Sequence, residues 1–263
     1  MIALYLDSVG VFAPGLAGWS ASRDVLAGNA AYTWQDAPPV APPILAPAER
    51  RRAIPLARLT LCTAYEALQG APHKNSQQIA SVFASSDGDS QTVIQILDGL
   101  SEAEPDVSPI RFANSVHNAT AGYWGIATST MLGSNCISAF DDSFAAGLLE
   151  AAVQVADEGV DVLYTASDAR FLEPMSELRP IAVDCAVSLL LAHERSPQSI
   201  ARLEISLTTH SAAAPLPTWL PAVFASCPAA RALPLAASVA AAREETLAFD
   251  YLGQTLSIKV TPC

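Results

Sequence analysis

One stretch constrains this chain more than any other: NCISAFDDSFAAGLLEAAVQVADEG, residues 135–159, where a short run of small and β-branched side chains turns directly into a helix. Phe144, Ala145, Leu148, Leu149, Ala152, Val153 and Ala156 recur at three- and four-residue spacing, while Glu150, Asp157 and Glu158 stay polar. That period gives an amphipathic helix, with Gly159 as its stop. Asp141 and Asp142 stand where carboxylates cap free N–H groups and meet the favourable end of the helix dipole. A strand that feeds a helix so abruptly is an elbow, and elbows commonly carry nucleophiles.

The flanking segments place this elbow in an α/β chain. Residues 2–8 read as a first strand, broken by Gly10, Pro14, Gly15 and Gly18, and residues 19–27 as a short helix. Residues 37–47 hold five prolines, too many for a regular element, and lead into Arg50, Arg51 and Arg52. Residues 57–70 return to helical spacing, residues 79–85 form a strand ending in the polar loop SSDGDS, and residues 91–100 form a helix. Residues 114–131, NSVHNATAGYWGIATSTM, predict one tightly packed helix. Buried strands follow at residues 160–166 and 182–192. Strands alternating with helices imply crossovers and a mainly parallel sheet flanked by helices, an α/β layered fold over residues 1–211. Residues 212–263 form a proline-rich extension packed on the same domain, with a short helix at residues 239–245 and a hairpin over residues 247–260 turning near Gly253.

Charge and cysteine content exclude several functions. Asp and Glu number 26 against 14 Lys and Arg, a net charge of −12, which repels a phosphate backbone, so no nucleic acid is expected. The five cysteines are far apart, with no CxxC and no Cys/His pair at ligand spacing, which points to reduced thiols in a cytoplasm, with no metal and no cofactor. The apolar run at residues 233–242 is about half a membrane span, and the N-terminus reads as a strand and not a signal peptide.

Candidate chemistry is sparse. Cys136 and His117 would together make a thiol-dependent acyl-transfer pair, although a cysteine in a small-residue strand and a histidine in a packed helix are more often structural. Asp141 and Asp142 are more simply caps than a carboxylate dyad, and His193 reads as a strand end. The SSDGDS loop has calcium-loop residue types without the full ligand pattern. Arg50, Arg51 and Arg52 form the one positive run in an acidic chain and would meet an acidic partner or a phosphate first.

Taken in order, LYLDSVGVFAPG, RLTLCTAYEALQ, NSVHNATAGYWGIAT, SAFDDSFAAGLLEAA, VLYTASDA and AVDCAVSLLLAHE resemble the N-terminal half of a beta-ketoacyl synthase, of thiolase-like fold. The resemblance covers about the first 205 residues. It implies a layered half-fold in which Val116, His117, Asn118, Tyr123, Trp124 and Phe140 line an acyl tunnel or a subunit interface. It also places the family's nucleophile on Phe140, or on Asp141 if the register slips by one, and neither can transfer an acyl group. Residues resembling the family's second half, with its histidines, are not found, and about 50 unlike residues stand there.

A ketosynthase without nucleophile or histidines is similar to a chain-length-factor subunit, and the wording is most like the short synthase-like proteins of bacterial aryl-polyene and xanthomonadin clusters. The implied partner is a full-length ketosynthase, in a heterodimer, with the acyl carrier protein reached through that partner. Phe140 is then expected to fill the space of the thiol and acyl chain. The competing readings are an active acyltransferase or hydrolase using Cys136 and His117, and a self-associating protein that binds acyl chains.

Overall fold

The computed structural model describes residues 1–38, 40–209 and 212–263. Pro39 of the proline-rich excursion and the expected boundary at Ser211 lie outside the described residues. The strands are β1 (Ile2–Ala13), β2 (Leu16–Ala17), β3 (Ile79–Ala84), β4 (Ser134–Ile137), β5 (Asp161–Asp168), β6 (Cys185–Ala192), β7 (Ala201–Thr208), β8 (Glu245–Tyr251) and β9 (Gln254–Pro262). The helices are α1 (Trp19–Leu26), α2 (Pro47–Arg52), α3 (Pro55–Gly70), α4 (Ser90–Ser101), α5 (Pro109–Asn114), α6 (Ala119–Thr128), α7 (Ser143–Glu158), α8 (Met175–Leu178) and α9 (Leu233–Ala240).

One sheet runs through the molecule in the order β4-β3-β5-β6-β1-β7-β9-β8, with β2 paired to the end of β1. Alternate side chains of each central strand face opposite layers. On β5, Val162, Tyr164 and Ala166 join α7 and α9 in one core, while Leu163 joins α3 and α6 in the other. The α/β layering is as the sequence implies, but the mainly parallel pairing is not. Among the described residues only β3 with β4 and β3 with β5 run parallel, and every other pairing is antiparallel. The cause lies in the connections: between β5 and β6 the chain holds only the four-residue α8, too little for a crossover, so it doubles back.

Strand β1 shows how local chemistry sets the packing. Leu4 and Leu6 face the α7 core, and so do Val9 and Val11, although their parity differs. A register shift between Leu6 and Ser8 absorbs one extra residue, Asp7, and restores the face. Gly10 does not break the strand as its type suggested. A Cβ there would stand 2.2 Å from the Thr63 carbonyl oxygen, so the glycine lets α3 lie directly on β1. Ser8 Oγ donates to the Ala67 carbonyl at 2.5 Å, and the Glu66 carboxylate accepts from the backbone N–H groups of Val11 and Trp19.

Asp7 itself is buried, accepting from Ser199 Oγ at 2.7 Å, with Lys74 Nζ at 3.4 Å and His73 Nε2 at 3.5 Å. A buried carboxyl group left without such partners is costly.

Three further expectations change. The single helix over residues 114–131 is two helices, α5 and α6. Between them Ser115 turns its hydroxyl back to the Phe112 carbonyl, and Asn114 spends its side chain on the Arg52 carbonyl and Tyr123 Oη. The C-terminal helix lies at Leu233–Ala240, not over residues 239–245, because Glu245 begins β8. Strand β7 was not foreseen at all. The hairpin itself turns at Leu252 and Gly253, and β9 pairs along β7. Among the described residues no helix is long and apolar enough to cross a membrane.

Candidate functional site

The elbow lies at the edge of the sheet. Strand β4 pairs with β3 on one side only, and Ser138, Ala139 and Phe140 then carry the chain into α7. The seat of α7 is fixed by Gly147, where a Cβ would come within 2.7 Å of Ala84 and Tyr164 side chains, and by Tyr164 Oη, which donates to the Phe144 carbonyl at 2.7 Å. Gly159 closes the helix in the left-handed region, as its sequence position required.

Phe140 has φ +53°, a conformation that costs a bulky L-residue of order 1–3 kcal/mol. Local hydrogen bonds hold it there. Ser143 Oγ accepts from the Ala139 N–H at 2.9 Å and donates to the Phe140 carbonyl at 2.7 Å, while the Asp142 N–H reaches the Ala139 carbonyl. The ring is 59% exposed, so it does not fill an interior cavity of this chain as expected. Instead the Arg179 guanidinium lies 3.8 Å from the ring centroid.

Asp141 and Asp142 do not cap α7 through their side chains. Arg179 donates from Nε to Asp87 at 2.8 Å and forms an ion pair through Nη2 with Asp141 at 2.7 Å, and its pKa is raised by these carboxylates against the opposing effect of its burial. Arg231 pairs with Asp142 at 3.0 Å and lies 3.5 Å from Asp141. Asp142 also accepts the Leu252 N–H at 2.9 Å, which ties the tip of the β8–β9 hairpin to the elbow. Five charged side chains from four segments thus converge around Phe140.

Behind the elbow is a buried carboxylate that sequence reasoning missed. Asp168 ends β5 and accepts from Ser85 Oγ, Ser86 N and Ser86 Oγ on one oxygen and from the Ala229 N–H on the other. Burial pushes its pKa up to about 6 even though these hydrogen bonds pull it down. Ser138 Oγ donates to the Ser86 carbonyl at 2.6 Å, joining this network to the residues before Phe140. The SSDGDS loop is therefore a structural hub. Its Asp87 pairs with Arg179, and its Asp89 accepts from Thr92 N at the start of α4 and from Leu56 N in the first turn of α3. No cluster of metal-ligating side chains occurs among the described residues.

The remaining candidates scatter. Cys136 sits half-buried on β4, its thiol pKa raised by burial, which disfavours the thiolate that acyl transfer requires. His117 is exposed on the turn between α5 and α6, and among the described residues no hydrogen bond joins it to Cys136. Val116 and Asn118 are exposed on the same turn. Tyr123 and Trp124, expected on an open apolar face, are 8% and 0% exposed. They belong to the chain's own core, where Trp124 meets Phe83 edge-on at 6.2 Å. Other side chains hold the open face: Ile110, Phe112, Ile126 and Met131 are exposed. A cleft of about 530 Å³ opens among them, with Ile110, Ala119, Gly122 and Ile126 on its walls and Arg52 at its rim. Of the basic run, Arg50 folds back onto the Leu45 carbonyl, while Arg51 and Arg52 are exposed and Arg52 pairs with Glu49 at 3.4 Å.

Comparison with known proteins gives consistent results. The family described as beta-ketoacyl synthase, N-terminal domain, matches residues 20–246. No curated protein matches the chain. Among solved structures, a chain from the complex of the ketosynthase ApeO with its chain length factor ApeC of Xenorhabdus doucetiae aligns with TM-score 0.74 and 21% identity, covering 98% of this chain and 100% of that one. A chain from the ishigamide ketosynthase/chain length factor aligns with TM-score 0.71 and 12% identity, over 99% of both chains. A beta-ketoacyl synthase from Burkholderia phymatum aligns with TM-score 0.60 and 14% identity, covering 83% of this chain and 67% of that one. The thiolase-like layering expected from the sequence is the fold these share.

Proposed function

Because the chain belongs to the beta-ketoacyl synthase N-terminal domain family, we propose that it is a non-catalytic, chain-length-factor-like partner of a full-length ketosynthase. The system would be a type II polyketide, aryl-polyene or fatty-acid-like pathway, in which this subunit helps to shape the acyl tunnel. The observation that carries the reading is Phe140. The strained position of a strand-to-helix elbow is kept, at φ +53°, yet its side chain has no nucleophilic atom, and the space beside it holds the Arg179 ion cluster.

The open face supports a partner. Strand β4 leaves one edge unpaired, and an edge strand flanked by exposed apolar side chains is a template for pairing with another chain. Val116, His117 and Asn118 are exposed on the turn leading into α6, where Asn118 borders the cleft between α2 and α6, and are offered as tunnel-wall residues. Two of the similar solved structures come from ketosynthase and chain length factor complexes, and another from a type II acyl carrier protein in complex with its ketosynthase. Net charge −12 repels an acidic carrier except near Arg51 and Arg52, so the carrier reaches the complex chiefly through the ketosynthase.

The test is co-expression with a full-length ketosynthase of the same genome that has an elbow cysteine and two histidines. A stable heterodimer is expected, and Val116→Trp or His117→Trp should change product chain length without dissociating it. A chain that stays monomeric beside that ketosynthase ends the proposal. A carrier-borne acyl group trapped on Cys136 would favour the thiol enzyme instead.

A further inference from the structure

Phe140 presents a physical puzzle that loss of a nucleophile does not explain. A residue with no catalytic work could be glycine at φ +53°, where glycine carries no strain, or any small residue in a relaxed turn. Here a large apolar ring is kept in an unfavourable backbone conformation and remains 59% exposed, so folding of this chain gains little from it. The surroundings nevertheless spend several interactions on its placement. Ser143 fixes the peptide on either side, and Arg179 holds one face of the ring at 3.8 Å while anchored to Asp87 and Asp141. A ring restrained before binding loses little freedom when it is buried, which is the property of a binding hot spot.

Its location names the occupant. Phe140 follows the end of the open edge strand β4 by three residues, so the ring stands just beyond a sheet edge that another chain can extend. We infer that Phe140 is a preformed anchor that inserts into an apolar pocket of the ketosynthase partner, and that Arg179 is the positioning residue which holds it for insertion. This rests on the partner-subunit reading above. The partner surface it fits is an apolar pocket whose rim carries no carboxylate, because Asp87 and Asp141, which hold Arg179, arrive with the ring.

The experiment measures affinity of the purified chain for the ketosynthase named above, by titration calorimetry, alongside the melting temperature of each variant. Phe140→Gly removes the ring and relieves the backbone, so its melting temperature should equal or exceed that of the parent while its affinity falls about thirtyfold. Arg179→Gln should weaken binding about fivefold in the parent and leave the Phe140→Gly variant unchanged. That dependence is one a merely structural arginine would not show. Arg179→Lys, which keeps an ion pair but not the flat stack, should fall between. Phe140→Gly binding with parental affinity overturns the inference, and so does an Arg179→Gln effect that persists without the ring. If the parent itself fails to bind, the partner-subunit reading falls, and the two failures are distinct.

Discussion

The electrostatics of this molecule are settled by a few buried side chains, and Asp168 is the most consequential. Its folded pKa of about 6 stands above the roughly 3.9 of a free aspartate, so the folded state binds the proton more tightly than the unfolded chain does. The stability it contributes is therefore complete below about pH 4 and is lost as pH rises through about 6, a fall of about 3 kcal/mol. Glu66, whose pKa burial also raises, acts in the same direction. Urea unfolding midpoints measured from about pH 4 to pH 7 should fall accordingly. Asp168→Asn should flatten that fall and lower stability at acid pH, since its amide would turn a donor toward the Ala229 N–H or leave the serine donors unmatched. Asp7 is buried as well, with Ser199 Oγ and Lys74 beside it. Lys74→Met removes its nearest permanent cation and should cost about 3–5 kcal/mol in chemical denaturation, although Lys74 is far from the elbow.

Elements pack where small residues let them approach, and here the sequence was only half legible. The period of α7 and the stop at Gly159 were readable because both are local. The strand β1 was not, since Gly10 and Asp7 take their meaning from a helix dozens of residues away: the glycine admits the Thr63 carbonyl, and the acid fills a bulge that keeps Val9 and Val11 on the core face. Pairing direction was likewise hidden, because it depends on whether the intervening chain forms a crossover, and alternation of strands and helices does not say so. At the elbow, the position of Phe140 could be counted, but Arg179, Arg231 and Asp168 carry no local signal that would assign them to it. These packings make two predictions. Gly10→Ala forces a backbone contact apart and should cost about 3 kcal/mol, read as a lower denaturation midpoint. Gly122, by contrast, has nothing within 4 Å of an added Cβ and borders the cleft between α2 and α6. Gly122→Leu should therefore leave stability within about 1 kcal/mol, helix propensity favouring the change. It should nonetheless shorten the product of the assembled synthase, as measured by mass spectrometry of the released chains.

The whole molecule has more surface than a solitary chain of its size calls for. A folded monomer of 27.5 kDa is expected to expose about 11,000 Å², and this chain exposes 11944 Å². Ile126 on α6 and Met131 on the segment leading into the edge strand β4 are 63% and 96% exposed. Neither side chain supports the core, so a charge placed on either should leave folding intact. Ile126→Asp combined with Met131→Asp should keep the melting temperature within a few degrees of the parent. The same pair should abolish heterodimer formation with the ketosynthase, because unpaired carboxylates would then have to be desolvated at the centre of the contact. Size-exclusion chromatography with light scattering reads the outcome directly. An assembly that survives both substitutions would move the interface to another face of the molecule, and with it the role given to the open edge of β4.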